Sequence, residues 1–301
     1  MKKIEEKQLR NLTLPVAIFC GLLFHNILYK VNFLTPYLLF GMMFFTCSKI
    51  SMKELKFNPM HGWLLLIQIF GGSALYLLLH RFNEPIAQGL MICIFTPVAV
   101  ASPVVGGMLG ADIAMMTTYV LLSNVTAALL APVAFSVMMH ADIPFLASFW
   151  HVMQRTLLLL VLPLIVSWLM SQFTPNAHSF VRKHQSISFY IWALCMMLLL
   201  GTTFHSIFTD HDADLRLELV LAVGALIICV VLFSLGKKMG THYGDMPAGR
   251  QMMGQKNTGI GVWLTISFLH PLAAVGPACY IIWQNLMNSL EIYLSSRRSE
   301  R

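Results

Sequence analysis

The chain has 301 residues, of which 57% are hydrophobic and only 11% are charged, with a formal net charge of +7. Soluble domains carry about 25% charged residues, so this composition excludes an ordinary soluble protein and favours one that crosses the lipid bilayer repeatedly. The positive charge follows the pattern of membrane topology and does not indicate nucleic-acid binding.

About ten apolar stretches are long enough to cross a membrane, since a spanning helix needs about 20 mostly apolar residues. In chain order they are 11–29, 32–49, 60–80, 86–109, 112–139, 146–172, 187–208, 216–236, 247–269 and 271–294. The first stretch lacks a signal-peptide cleavage site and is predicted to be a retained helix. We therefore predict an all-α polytopic membrane protein with a single membrane domain over residues 1–301.

Basic residues predict the orientation, because cytoplasmic loops of membrane proteins are enriched in lysine and arginine. With a cytoplasmic N-terminus, the outer side receives only Lys30, Arg81, Arg155 and Arg216. Apart from Lys256, all other basic residues fall on the cytoplasmic side. We predict an even number of spans, with both termini in the cytoplasm.

The ten stretches divide into two halves, roughly 11–139 and 146–294. Five spans is an odd number, so the halves have opposite topology, and such inverted repeats are typical of transporters whose binding sites lie at broken helices. Pro97 and Pro103 interrupt the fourth span, and Gly254, Gly259 and Gly261 interrupt the ninth. The alternative is that these residues are simply common in membrane helices.

Lys256 lies within the ninth stretch, in "GRQMMGQKNTGIGVW". If the helix begins at Pro247, Lys256 is nine residues on and about 13 Å deep, close to the centre of the bilayer. A lysine there is expected to line a cavity or to have a partner. The alternative is a lysine near a helix end whose ammonium reaches the interface.

Three segments of the sequence are similar to spans of one known family. They are "LLFGMMFFTCSKISMKELKF", "GLMICIFTPVAVASPVV" with the following "GADIAMMTTYVLLSNVTAALLAPV", and "GQKNTGIGVWLTISFLHPLAAVGPACYIIWQNL". They resemble the second, the fourth and fifth, and the ninth and tenth spans of the bile acid:sodium symporter family. The resemblance implies ten helices in a core domain and a panel domain, with broken helices 4 and 9 crossing in the core. It also implies transport of organic anions, often with sodium.

The chain departs from the family at positions that hold sodium. In the fourth span the family serine is kept as Ser102, but Pro103 replaces the asparagine; in the fifth, Met116 and Val120 align with sodium-binding hydroxyls. In the ninth, Met252 replaces the family glutamate and Lys256 the glutamine. Because sodium needs oxygen ligands, we expect sodium to bind poorly. Lys256 could be a fixed cation in place of sodium, a ligand of the anionic substrate, or a proton carrier.

The candidate site residues are therefore those near the expected crossing. Asn257 matches the family asparagine, and Gln68 resembles a core glutamine of the family, although a plain interhelical hydrogen bond explains Gln68 equally well. Asn124 could face the crossing or bond a neighbouring helix. The full set is Lys256, Asn257, Gly254, Gln255, Ser102, Pro103, Asn124 and Gln68.

These features predict a secondary active transporter that moves a small organic anion, bile-acid-like or a carboxylate, across a bacterial inner membrane by alternating access without sodium. The alternatives are a sodium-coupled symporter and a non-transporting sensor of the same fold. No catalytic or cofactor-binding motif is visible, so we expect neither an enzyme nor a cofactor. "HSIFTDHDAD", residues 205–214, could bind a divalent ion, but its place at the end of a span favours a solvated loop.

Overall fold

The structure, a computed structural model, describes residues 16–17, 19–48, 55–99, 101–138, 145–184, 186–209 and 215–299. Within these residues the regular elements are helices, together with one isolated β-bridge. They are α1 His25–Lys30, α2 Thr35–Cys47, α3 Pro59–Leu66, α4 Gly72–Leu79, α5 Glu84–Phe95, α6 Ser102–Met108, α7 Ile113–Met138, α8 Phe145–Leu160, α9 Leu162–Phe173, α10 Pro175–Lys183, α11 Ser186–Thr209, α12 Leu215–His242, α13 Met246–Gly254, α14 Thr258–Phe268 and α15 Val275–Ser299. Short 3-10 helices cover Asn32–Leu34 and Pro271–Ala274, and a π-helical segment, Ile67–Gly71, joins α3 to α4.

Three helical segments of the described chain are long and apolar enough to cross a membrane: Pro59–Leu79, Ile113–Ser136 and Leu215–His242. Shorter apolar helices cover Asn32–Phe45, Glu84–Phe95, Leu162–Phe173, Ala193–His205 and Thr258–Phe268. The protein is therefore a helical membrane protein, while the number of ten spans stays a prediction.

The predicted fourth and ninth spans are each two helices separated by a break. The first break lies between Phe95 at the end of α5 and Ser102 at the start of α6, where Pro97 lacks a backbone donor and Pro103 lies in the first turn of α6. The second break, residues 255–257, follows Gly254 at the end of α13. Both predicted spans are thus interrupted, but Gly259 and Gly261, which were expected to interrupt the ninth, lie inside α14, where neighbouring residues continue the helix.

The chain forms two compact units, and each combines segments from both halves of the sequence. The first unit covers residues 1–49 and 158–213, where α2 packs against α9 and α11. The second unit covers residues 50–157 and 214–301 and contains both breaks. In the second unit α12 packs along α13 and α15, and α5 packs against α4, α12 and α15.

Some details differ from the sequence prediction. The predicted sixth span, 146–172, is interrupted at Val161, just before Pro163 in the first turn of α9. Helix α10 was not predicted; its short amphipathic sequence ends in Arg182 and Lys183 and lacks the apolar length on which spans were identified. The predicted first helix lies outside the described residues up to position 15, as do positions 210–214 of the polar loop.

Candidate functional site at the meeting of two helix breaks

The two breaks meet through paired backbone hydrogen bonds. The Ala99 amide donates to the Gln255 carbonyl at 2.8 Å, and the Asn257 amide donates to the Pro97 carbonyl at 2.8 Å. These bonds form the antiparallel bridge between Val98 and Lys256. Backbone groups that leave a helix inside a membrane must find partners in the protein, and here each break supplies partners for the other. We call the two breaks and the helix ends beside them the junction.

The Lys256 side chain reaches across the junction to the end of the other broken helix. Its Nζ donates to the Ile94 carbonyl at 2.9 Å, in the last turn of α5. The carbonyl end of a helix carries a partial negative charge, so this position favours a cation. Lys256 is only 1% exposed, so its ammonium lies inside the protein and does not extend to the protein surface.

The first break is held by side chains from neighbouring helices. Gln68, in the π-helical segment, donates from Nε2 to the Phe95 carbonyl at 2.9 Å. The Ser123 hydroxyl of α7 donates to Gln68 Oε1 at 2.8 Å and accepts the Val98 amide at 3.1 Å. Gln68 and Lys256 together satisfy two of the carbonyls that α5 leaves without helical partners at its end.

The second break is held by α15. The Tyr280 hydroxyl donates to the Gly254 carbonyl at 2.8 Å, which satisfies the end of α13. Gln284, one turn further along α15, accepts the Lys256 amide at 2.9 Å and donates to the Thr258 hydroxyl at 3.3 Å. Both breaks are therefore stabilised by amide and hydroxyl side chains.

Several predicted site residues carry buried polar atoms without a protein partner. These atoms are Ser102 Oγ, Asn124 Oδ1, Gln255 Oε1 and Asn257 Nδ2. Ser102 is the first residue of α6, next to the buried Pro103. The Asn124 amide nitrogen donates a hydrogen bond to the Val120 carbonyl of its own helix. Unsatisfied buried polar groups are costly, so their clustering on residues in and around the breaks is a feature expected of a site that binds a ligand or water.

Charged groups near the junction are few. Among the described residues the ion pairs are Lys56–Asp112 and Arg250–Glu291, and Lys256 belongs to neither. Met116 and Met252, which align with sodium ligands of the resembled family, are both fully buried. A Cβ placed on Gly106 of α6 would collide with the Met116 thioether, so this side chain fills the space between α6 and α7. Thioethers are soft ligands and suit sodium poorly.

The structure adds partners that sequence reasoning missed. The candidate site residues of the sequence do not include Ser123, Tyr280 or Gln284. A signal existed, because Tyr280 and Gln284 are hydrogen-bonding groups four residues apart on one face of α15. The carbonyl of Ile94 could not have been found, since backbone acceptors leave no trace in the sequence.

The family model described as the sodium bile acid symporter family matches residues 36–210. The chain belongs to the sodium bile acid symporter family. Its members are membrane transporters of organic anions and bile acids, not enzymes. The search of curated proteins found no match.

Proposed function

We propose that this member of the family is a secondary active transporter that moves a small organic anion through the junction without sodium. The observation that supports this most is the buried Lys256 ammonium on the Ile94 carbonyl. A cation held between two broken helices provides fixed positive charge where an anion is to bind. The unpartnered polar atoms of Ser102 and Asn257 offer hydrogen bonds to the same ligand.

Electrostatics argue against a sodium ion beside Lys256. Two like charges about 4 Å apart repel by about 4 kcal/mol at an effective dielectric constant of 20. The Ile94 and Phe95 carbonyls, which could ligate an ion at the end of α5, already accept from Lys256 and Gln68. In this proposal Lys256 takes over the role of the ion, and it holds the two breaks together in the absence of sodium.

The proposal places the chain in a bacterial inner membrane with both termini in the cytoplasm, ten spans and two inverted repeats. The two compact units support this organisation, because each is assembled from both halves of the chain. The unit that contains the breaks corresponds to the core domain of the proposal, and the other unit corresponds to the panel domain.

The first test needs no known substrate. Thermal unfolding of the purified protein is measured in sodium chloride and in choline chloride at matched ionic strength, for the wild type and for Lys256→Gln. We expect sodium to leave the wild-type unfolding temperature unchanged. A ligand at about 100 times its dissociation constant stabilises by about 2.7 kcal/mol, which is easily detected. Stabilisation of the wild type by sodium would show that this is an ordinary sodium symporter.

Flux separates a carrier from a sensor. Proteoliposomes in sodium-free buffer are given labelled taurocholate or pyruvate, and uptake is compared with that of protein-free liposomes. We expect uptake of an anion by the wild type and a loss of more than about tenfold in Lys256→Gln, since the variant removes the fixed charge. Binding without uptake would favour the sensor.

A further inference from the structure

Glu291 of α15 is the buried carboxylate among the described residues. It accepts a hydrogen bond at 3.0 Å from Gln251 Nε2 and forms an ion pair with Arg250, both on α13. The Glu291 side chain is 8% exposed and that of Arg250 is 24% exposed, so the arginine is the more accessible partner of the pair. Burying an ionisable pair in the protein costs free energy, so a pair that is kept buried is a candidate for a functional site.

A stripe of polar side chains connects Glu291 with the junction. The stripe lies on one face of α15, because its members are spaced by three or four residues: Tyr280, Gln284, Asn288 and Glu291. Its first and last members, Tyr280 and Glu291, form hydrogen bonds with α13. Tyr280 and Gln284 hold the second break, and Glu291 lies seven residues beyond Gln284, about 10 Å along the helix. The buried Asn288 Oδ1 between them has no protein partner, and neither has Gln251 Oε1. The stripe therefore offers a polar route from the junction to the carboxylate.

Positive charge surrounds Glu291 on neighbouring helices. Arg250 of α13 and Lys237 of α12 both act on it, and the Cys229 thiol of α12 lies within its electrostatic reach. Helix α14 and the Pro271–Ala274 turn, which also pack on α15, contain no charged residue. Helix α5 carries only Glu84, in its first turn, near the other end of α15. Protonation of Glu291 removes its negative charge, so the net charge of this region rises by one unit.

We propose that Glu291 binds the proton that travels with the anion, so that the carrier is a proton–anion symporter. This inference rests on the proposed transport function. In the empty carrier at alkaline pH, Glu291 is ionised and paired with Arg250. In the loaded carrier a hydronium ion from water has given its proton to the carboxylate, and the freed charge of Arg250 is balanced by the anion at the junction.

Charge balance explains why proton and anion would move together. With Lys256 included, the empty form carries one positive charge, and the loaded set of Arg250, Lys256, protonated Glu291 and the anion carries one as well, so both forms can reorient at the same electrostatic cost. Over about 10 Å and at an effective dielectric constant of about 20, the added positive charge strengthens anion binding on the order of tenfold. Linkage requires that the anion strengthen proton binding by the same factor.

The first test detects the proton directly and needs no cargo. The infrared carbonyl band of a protonated carboxylic acid is followed in the purified protein between about pH 8 and pH 5. Glu291→Gln keeps the size and hydrogen bonding of the protonated side chain, and Glu84→Gln, at an exposed carboxylate, is the matched control. We expect the band in the wild type and in Glu84→Gln but not in Glu291→Gln. The same band in all three proteins, or none in the wild type, would overturn the proposal.

The second test measures coupling in proteoliposomes with taurocholate or pyruvate, which both stay ionised over this pH range. With the interior one pH unit more alkaline, electroneutral symport with one proton accumulates the anion up to about tenfold. We expect Glu291→Gln to exchange the anion without accumulating it. Anion flux that does not depend on the pH gradient would contradict proton coupling, and so would accumulation that is unchanged in Glu291→Gln. Either result leaves the proposed transport function in place. Absence of flux at every pH contradicts the transport function instead, while the infrared result still decides whether Glu291 takes up a proton.

Discussion

At the scale of one side chain, Lys256 is the residue whose type and position point most clearly to a site. A lysine in an apolar stretch with no acidic neighbour predicts a special site, and the structure gives it a partner that carries no formal charge. The ammonium uses the partial charge at the end of α5 instead of a carboxylate. In the proposed function Lys256 takes the place of the ion, and position 252 holds a methionine where the resembled family has a glutamate.

Restoring the family residues should restore sodium binding. In Met252→Glu/Lys256→Gln a carboxylate is added and the competing cation is removed, so oxygen ligands again face the junction. We expect sodium, but not choline, to raise the unfolding temperature of the double variant. Lys256→Gln alone is the control and should respond little, because it lacks the carboxylate. A double variant indifferent to sodium would show that the ligand geometry has been lost elsewhere as well.

At the scale of elements, α13 is held in place by glycine contacts with α12. A Cβ on Gly249 would lie 2.5 Å from the Gly236 carbonyl oxygen and 2.6 Å from the Gly240 Cα. The two backbones thus approach more closely than any side chain allows, as is common between membrane helices. Because α13 ends at Gly254, this contact also positions the second break.

Substitution of Gly249 tests this contact. Gly249→Ala forces the α12 and α13 backbones apart, and we expect it to lower the free energy of unfolding by about 1–3 kcal/mol. The matched control is Gly62→Ala in α3, where a Cβ meets nothing within 4 Å. Alanine there should be neutral or stabilising by up to about 1 kcal/mol. Denaturant unfolding in detergent measures both, and equal effects of the two substitutions would argue against the close approach.

At the scale of the whole molecule, loops assigned to one side of the membrane do meet. Lys56 donates to Asp112 at 2.9 Å, and the Asp112 amide donates to Asp245 at 2.8 Å. The hydrogen bond from Lys56 holds the pKa of the Asp112 carboxyl below its ordinary value. These residues come from three segments that the charge distribution assigns to one side of the membrane, and their proximity agrees with a common side, while the cytoplasmic orientation stays a prediction.

The orientation can be tested with two cysteine variants. A membrane-impermeant maleimide should label Arg81→Cys in intact cells, and Lys238→Cys only after permeabilisation. Both positions are exposed in the structure, so the accessibility of the side chain does not limit labelling. The wild type provides the background, because four of its six cysteines are buried. The reverse pattern would place both termini outside.

The sequence by itself determined the membrane class and the two interrupted spans, and it identified Lys256 as a candidate site residue. These features are local: hydrophobic length, proline, glycine and a charge in an apolar stretch each leave a visible pattern. The tertiary structure decided which atoms meet. The pairing of the breaks, the Ile94 carbonyl as partner of Lys256, and the contacts of Ser123 and Tyr280 all join segments far apart in the chain. Such contacts depend on how helices pack, and a backbone carbonyl is the same for every residue type.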